Sequence, residues 1–439
     1  MTASAGALGR PFWIFWTSTS AANLADGIRA GAFPLIAAAL TRDPFGVALV
    51  AACQQGAWLF FGLAAGLLAD RRSPARVVAV ADAVRVTTLA GLLTVLLLEA
   101  ATIPVLAGAA FALGAAETFR DTSAQSVLPR LVTEGQLERA NGRLFGTEIV
   151  GNEFLGPLLG AALIGVALTV PVAVDAAVLL VALLLVSALP RTPATRAPAD
   201  GVQGTEGFTG ADETDGAKGA AKGTGGTGRD GGGRDRAGES PALTAELLRG
   251  ARWLLRHPRQ RAITCAGAVI CCADAAWWSV LVLYSDRALG VPVAAFGLLL
   301  AAGAVGGTVG ALTAGRLAGR FTPRALLSTA AGATGLPAVV IALDDSPWTA
   351  GAMLAVSSAG FALWNVVALS ARQRETPRHL LGRVTAVHRI ALYGSGTAGA
   401  LLGGWAAGAL ALTVPFHAAG PSAVLAAVGL LIALDRRTG

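Results

Sequence analysis

Charge is what this chain lacks. Only 14% of its 439 residues are Asp, Glu, Lys or Arg, against 54% hydrophobic, and mean hydropathy is +0.61. A soluble domain carries about 25% charged residues, so this complement cannot coat a soluble surface of such size. Lysine is nearly absent: Lys218 and Lys222 stand alone, and the formal net charge of +7 is arginine. Those arginines recur in short clusters between apolar runs and form no single patch, which argues against nucleic acid as a partner.

Cysteine is scarce as well. Cys53, Cys265, Cys271 and Cys272 all lie in apolar segments, without metal-ligand spacing to histidine. They read as small buried hydrophobes, with no disulfide framework and no metal site. No basic n-region, short h-region and A-x-A site open the chain, so no cleavable signal peptide is expected. There is no G-x-x-x-x-G-K-[ST] to cradle a nucleotide and no H-E-x-x-H to hold zinc; no enzyme activity and no cofactor are expected. The histidines, His257, His379, His388 and His417, fall near the ends of apolar runs and are expected at surfaces or interfaces.

What is present is a succession of long apolar runs. They are Phe12–Leu40, Phe45–Ala69, Val77–Leu98, Ile103–Arg120, Leu144–Thr169 and Val170–Leu189. After a gap come Ala262–Tyr284, Val293–Ala318, Ala325–Leu343, Trp348–Ser370, Thr385–Leu410 and Leu412–Leu434. Roughly 20 apolar residues cross a bilayer core, where backbone groups must be satisfied internally. The expected fold is therefore all-α and integral to the membrane, with about twelve transmembrane helices. Glycine and alanine within the runs permit close helix approach.

Arginine clusters follow every even-numbered span: Arg71, Arg72 and Arg76; Arg130, Arg139 and Arg143; Arg320 and Arg324; Arg372, Arg374, Arg378 and Arg383; Arg436 and Arg437. The opposite loops carry little beyond Arg42 and Arg287. By the positive-inside rule the arginine-rich face, and with it both termini, is expected in the cytoplasm of a cell that carries the protein in its plasma membrane.

Two six-helix halves are expected, residues 1–190 and 241–439, joined by a disordered cytoplasmic linker at 191–240. The linker is rich in Gly, Ala, Thr and mixed charge and has one aromatic, Phe208, too little apolar surface to pack. Behind it, Ala245–Arg256 reads as a short amphipathic helix on the membrane surface, with Trp253, Leu254 and Leu255 inward and Arg249, Arg252 and Arg256 toward headgroups. The halves repeat each other. Gly66–Pro74 matches Gly315–Pro323 at an offset of 249, and Ala25-Asp26 matches Ala273-Asp274 at 248. Parallel six-helix repeats are one way transporters are built.

Ionisable residues inside a bilayer are costly and mark function by default. Asp26 stands mid-span with Asn23 and Arg29 on one polar stripe. A carboxylate out of water favours its neutral form, which suits proton exchange; a structural Asp26–Arg29 pair is the plainer reading. Asp274, its repeat mate, precedes Trp277 and Trp278, a setting for a cationic or aromatic substrate or simply for packing. Trp364 and Asn365 in span ten carry the same ambiguity. Asp82 and Arg85 read as a structural ion pair. Glu117 and Asp121, with Arg120 between them, read with Asp70 and Arg71 as a charge cluster for the inward gate. Glu148 and Glu153 are placed in the first turns of span five, and Asp175 receives no role.

The loop Gly66-x3-Asp70-Arg71-Arg72 resembles the signature between helices two and three of the major facilitator superfamily, with Pro74 where that signature carries a basic residue. Asn23-Leu24-Ala25-Asp26-Gly27, Asp82-x2-Arg85, Ala116-Glu117-Thr118 with Asp121, Leu128-Pro129, Ala140-Asn141, Gly156-Pro157, Gly382-Arg383-Val384 and Gly403-Gly404 are similar to its drug- and siderophore-efflux branch, which includes the enterobactin exporter and macrolide-efflux proteins. The resemblance covers nearly everything outside the linker. It implies a secondary active exporter of a drug, siderophore or other small molecule, working by alternating access with spans one, four, seven and ten around the cavity. The partners expected are the lipid bilayer, a small-molecule substrate and the proton as coupling ion, for a monomer. Substrate and proton residues would be Asp26, Asn23, Arg29, Glu117, Asp274, Trp278 and Asn365. Gate residues would be Gly66, Asp70, Arg71, Arg72, Asp121, Gly315, Arg320 and Arg383. The rival readings are an importer on the same fold and a non-transporting sensor or scaffold.

Overall fold

The computed structural model describes residues 8–133, 136–189, 243–292, 295–377 and 380–435. The expected linker, 191–240, lies outside them. The described residues are helical, with no strand among them. Spans one to four are α1 (Arg10–Leu40), α2 (Pro44–Arg71), α3 (Pro74–Leu97) and α4 (Ile103–Val127). Span five is composite: α5 (Leu137–Glu148), a π-helical stretch (Ile149–Leu155) and α6 (Gly156–Ile164); span six is α7 (Val170–Ser187). The amphipathic helix is α8 (Leu243–Arg256). Span seven is broken into α9 (Pro258–Trp278) and α10 (Leu281–Arg287). The rest are α11 (Phe296–Arg320), α12 (Pro323–Leu343), α13 (Pro347–Glu375), α14 (Leu381–Ala409) and α15 (Val414–Asp435).

Local chemistry sets the helix starts. Pro44, Pro74, Pro258, Pro323 and Pro347 each open a helix, where the missing N–H costs nothing. The Asp43 carboxylate accepts from the N–H of Phe45 and of Gly46, and Thr322 and Ser346 cap α12 and α13 in the same way.

By length and hydropathy alone, nine of the described helical segments can cross a membrane. The three spans missing from that set are one, five and eleven. Span one holds Asp26 and Arg29, span five holds Glu148 and Glu153, and span eleven holds Arg383 and Arg389. Each is seated among membrane-length neighbours all the same. Span five departs from expectation: its helix begins at Leu137, so Glu148 and Glu153 sit deep within it, at and inside the π-helical stretch, rather than in a first turn. The reason is that the polar stretch from Leu137 continues the helix as an amphipathic arm. Span four likewise runs past Arg120 to Val127.

Three apolar cores show how the halves meet. At the arginine-rich face each half has its own. Phe12, Phe15, Val78, Val127, Ala140 and Val186 pack together in one half. Ile263, Leu327, Trp364, Ala371 and Leu430 do so in the other. At the opposite face a single core runs through both halves, from Ile36, Val47 and Leu106 to Trp277, Tyr284, Phe296 and Phe416. Two glycines close that end. A Cβ on Gly404 of α14 would strike Ala48 of α2, and one on Gly297 of α11 would lie 3.0 Å from the Leu158 Cα. Arg287 also donates to the Arg42 carbonyl at 2.7 Å across the halves. The bundle is thus sealed at the arginine-poor face, while at the arginine-rich face the cores of the halves are separate.

Candidate functional site

The middle of α1 carries the densest buried chemistry. Arg29 donates to Asp26, one turn earlier, at 2.7 Å and to Glu117 of α4 at 2.6 Å, and lies 4.0 Å from Asp175 of α7. Arg85 of α3 donates to the same Asp26 oxygen and lies 3.5 Å from Asp82. Arg120 of α4 donates to Asp82 at 2.9 Å and reaches Asp121 at 3.5 Å. Acid and base therefore alternate along one path, Asp175–Arg29–Asp26–Arg85–Asp82–Arg120–Asp121, with Glu117 branching from Arg29. The expected local pairs, Asp26–Arg29 and Asp82–Arg85, are two links in this longer chain.

Burial makes the path expensive, since each ion loses several kcal/mol of hydration that close pairing must offset. The three arginines are fully enclosed, as are Asp82 and Asp175. Five carboxylates meet three guanidiniums, so cation pairing alone leaves two acids over. Only the Glu117 and Asp121 side chains, 18% and 38% exposed, reach open space. Both Asp175 oxygens are buried and make no hydrogen bond.

Packing fixes the path's position. A Cβ on Gly27 would lie 2.7 Å from the Asn152 carbonyl and 2.9 Å from the Gly156 Cα, so α1 rests directly on the π-helical stretch. Asn23, half-buried on the same helix, flanks Gly151 of that stretch. A π turn interrupting an α-helix is frequently found at functional positions.

The second half is built otherwise. Asp274 makes no ion pair among the described residues, and its Oδ1 is buried without a hydrogen bond. Trp277 follows it, fully buried, with ring centroids 5.2 Å from Trp278 and 5.6 Å from Phe416. Asn365 is exposed and its amide donates to the Phe361 carbonyl at 3.1 Å. Trp364 packs in the bundle against Gly267.

Between the halves, Trp58 of α2 stacks on Tyr393 of α14 at 5.5 Å and 12°, and the Arg389 guanidinium lies 5.4 Å from the Trp58 ring centre. These three, with Gly62, Thr122 and Thr385, line a cavity of 250 Å³. Sequence reasoning passed over all three. Arg389 carried the signal to find it, an arginine in the opening turns of an apolar run. His388, expected at an edge, is buried inside the second half, where its Nδ1 and the Thr264 hydroxyl share a hydrogen bond of 3.0 Å; α14 begins earlier than expected, which carries residue 388 inward. Arg372 is also buried there, with two guanidinium nitrogens making no hydrogen bond.

Of the gate residues, the side chains of Asp70 and Arg71 and the surroundings of Gly66, all in the last turns of α2, lie outside the described residues. Arg72 caps α2 and is exposed. Asp121 ends the ionic path. Arg320 lies over Phe321, nothing approaches Gly315, and the Arg383 main chain touches Gly250 of α8.

A Major Facilitator Superfamily model matches residues 15–257, and a Transmembrane secretion effector model matches residues 236–437. No curated protein matches the sequence. Among solved structures, the fold is similar to that of a mutant form of the nucleoside transporter NupG (TM-score 0.70, 14% identity, 96% of this chain and all of that one). It is similar to a bacterial homologue of the iron transporter ferroportin in an inward-facing state (0.67, 13%, 98% and 100%). A bacterial homolog of the human lysosomal transporter Spinster, inward-facing and occupied, is a third (0.66, 15%, 96% and 94%). At these identities the likeness is one of fold.

Proposed function

We propose a function from one premise: the chain belongs to the Major Facilitator Superfamily and is a multi-pass membrane protein of that transporter fold. It is a proton-coupled exporter of a small organic molecule, working by alternating access, with the arginine-rich face in the cytoplasm and the cavity opening inward.

One observation carries the coupling: a buried ionic path with more carboxylates than guanidiniums, of which Glu117 and Asp121 reach open space. Low-dielectric surroundings penalise net charge, and a proton is the smallest counter-charge available to a buried acid. Asp26, gripped by Arg29 and Arg85, holds the cations in register, while Glu117 shares Arg29 and is partly exposed. Substrate would sit between the halves against Trp58, Tyr393, Arg389 and Trp278, with Asp274 and Asn365 on the second half. A proton entering at Glu117 loosens its hold on Arg29 and changes how α1 and α4 are tied, which gives substrate and proton a shared lever. Export is favoured by the secretion-effector match over the second half and by the efflux-branch stretches.

The test has two stages. A strain lacking the protein is screened against antibiotics and its secreted siderophores are measured; hypersensitivity or lost secretion identifies cargo. Everted vesicles with an imposed pH gradient then report transport. Cargo movement indifferent to the gradient rejects proton coupling, and a growth requirement in place of hypersensitivity turns the reading to import.

A further inference from the structure

α8 lies apart from the transport path. It runs straight into α9, a membrane span, with His257 alone between them, so it sits at the boundary where that span enters the bilayer. Gly250 is pressed against the main chain of Arg383 on α14, where a Cβ would come within 2.8 Å. Leu254 is buried beneath the helix. Leu255, expected to face inward, is exposed, as is Leu248 two turns before it. These two form a largely exposed apolar flank, because α8 meets the bundle along Gly250 and Leu254.

Beside that flank is a cavity of 340 Å³ lined by Arg249, Arg252, Trp253, Arg256, His257 and Leu380. Among the described residues Arg252 and Arg256 make no ion pair; Glu375, 4.0 Å from the His257 ring, is engaged by Gln260 at 2.9 Å and lies 3.8 Å from Arg259. Trp253 stacks on His257 at 4.8 Å, which fixes the aromatic wall. Cationic side chains, an interfacial tryptophan and exposed leucines on one short helix match a phosphodiester above acyl chains.

We infer that this cavity binds the headgroup of an anionic phospholipid in the leaflet at the arginine-rich face. The lipid clamps α8 onto α14, the helix that carries Arg389 and Tyr393. A ligand that prefers one arrangement of α8 and α14 shifts the equilibrium toward it, so the leaflet's anionic content tunes the opening of the cavity.

The full-length protein, purified in neutral detergent, is melted against increasing phosphatidylglycerol, phosphatidylcholine or inorganic phosphate. Phosphatidylglycerol should raise the melting temperature and the other two should not. Arg252→Gln with Arg256→Gln should leave the lipid-free melting temperature unchanged and raise the half-saturating phosphatidylglycerol about thirty-fold, roughly five-fold per lost charge. Arg316→Gln with Arg320→Gln, on the same face outside the cavity, should leave it unaltered. A wild-type lipid response in the first pair overturns the site. So does an equal response to phosphatidylcholine; a response to phosphate alone makes it a soluble-anion site instead. Should the first pair fail to fold, brominated phosphatidylglycerol decides: it must quench wild-type fluorescence more than that of Trp253→Phe, and equal quenching overturns the proposal.

Discussion

The same helix slots are filled with opposite chemistry in the two halves. At an offset of 248, Asp26 matches Asp274 but Arg29 matches Trp277; in the last spans a shared Thr-Val-Pro sets the offset at 244, and Asp175 matches Ala419. Where the first half threads three arginines among five acids, the second packs an indole against Trp278 and Phe416. Both fill space, and Arg29 and Trp277 are among the largest enclosed side chains of the molecule. They differ in what a single change can do. Dispersion contacts are many and individually small, whereas an ion pair in a dry interior depends on each partner. On the proposed function, the first half is the one that a single proton would rearrange, and the second the wall against which it would move.

The largest effect should come from cutting the path. Arg85→Met leaves Asp26 and Asp82 short of a buried partner and should cost about 3–5 kcal/mol, seen as loss of monodisperse protein in detergent. Adding Asp26→Asn should restore part of that. In the matched half Trp277→Ala should cost about as much through its cavity, and adding Asp274→Asn should restore nothing. If both second changes rescue equally, the two halves do not differ as described.

Next in size is Glu117→Gln. It removes an acid in excess of the cations, so the melting temperature should stay near wild type while gradient-driven transport in everted vesicles falls at least about ten-fold, in the range of a lost proton-transfer group. Asn365→Ala, in the second half, should leave the gradient dependence of transport unchanged. Normal gradient dependence in Glu117→Gln would move the coupling acid to Asp274. Asp274→Asn is expected to be milder, a several-fold change in half-saturating substrate with the pH dependence retained, because no cation depends on it. The smallest effect belongs to deletion of Gly201–Gly233, which ties the halves in sequence but has no apolar pattern; transport per molecule, with protein matched by immunoblot, should stay within about two-fold. A larger loss at normal membrane levels would make it more than a tether.

The sequence alone determined the all-helical membrane fold, which residues repeat and which acids are out of place there. Hydropathy, arginine spacing and the cost of intramembrane charge are local properties, readable a span at a time. Asp26, Arg29, Asp82, Arg85 and Glu117 were all visible in this way. The tertiary structure alone decided that they form one path, that Asp175 belongs to it, that a π turn bears on Gly27, and that Trp58, Tyr393 and Arg389 meet between the halves. Ion pairing acts between side chains a few ångströms apart, and Arg29 and Glu117 reach 2.6 Å from positions 88 residues apart in sequence. Such a distance is set by how helices pack, and no single span's composition encodes it.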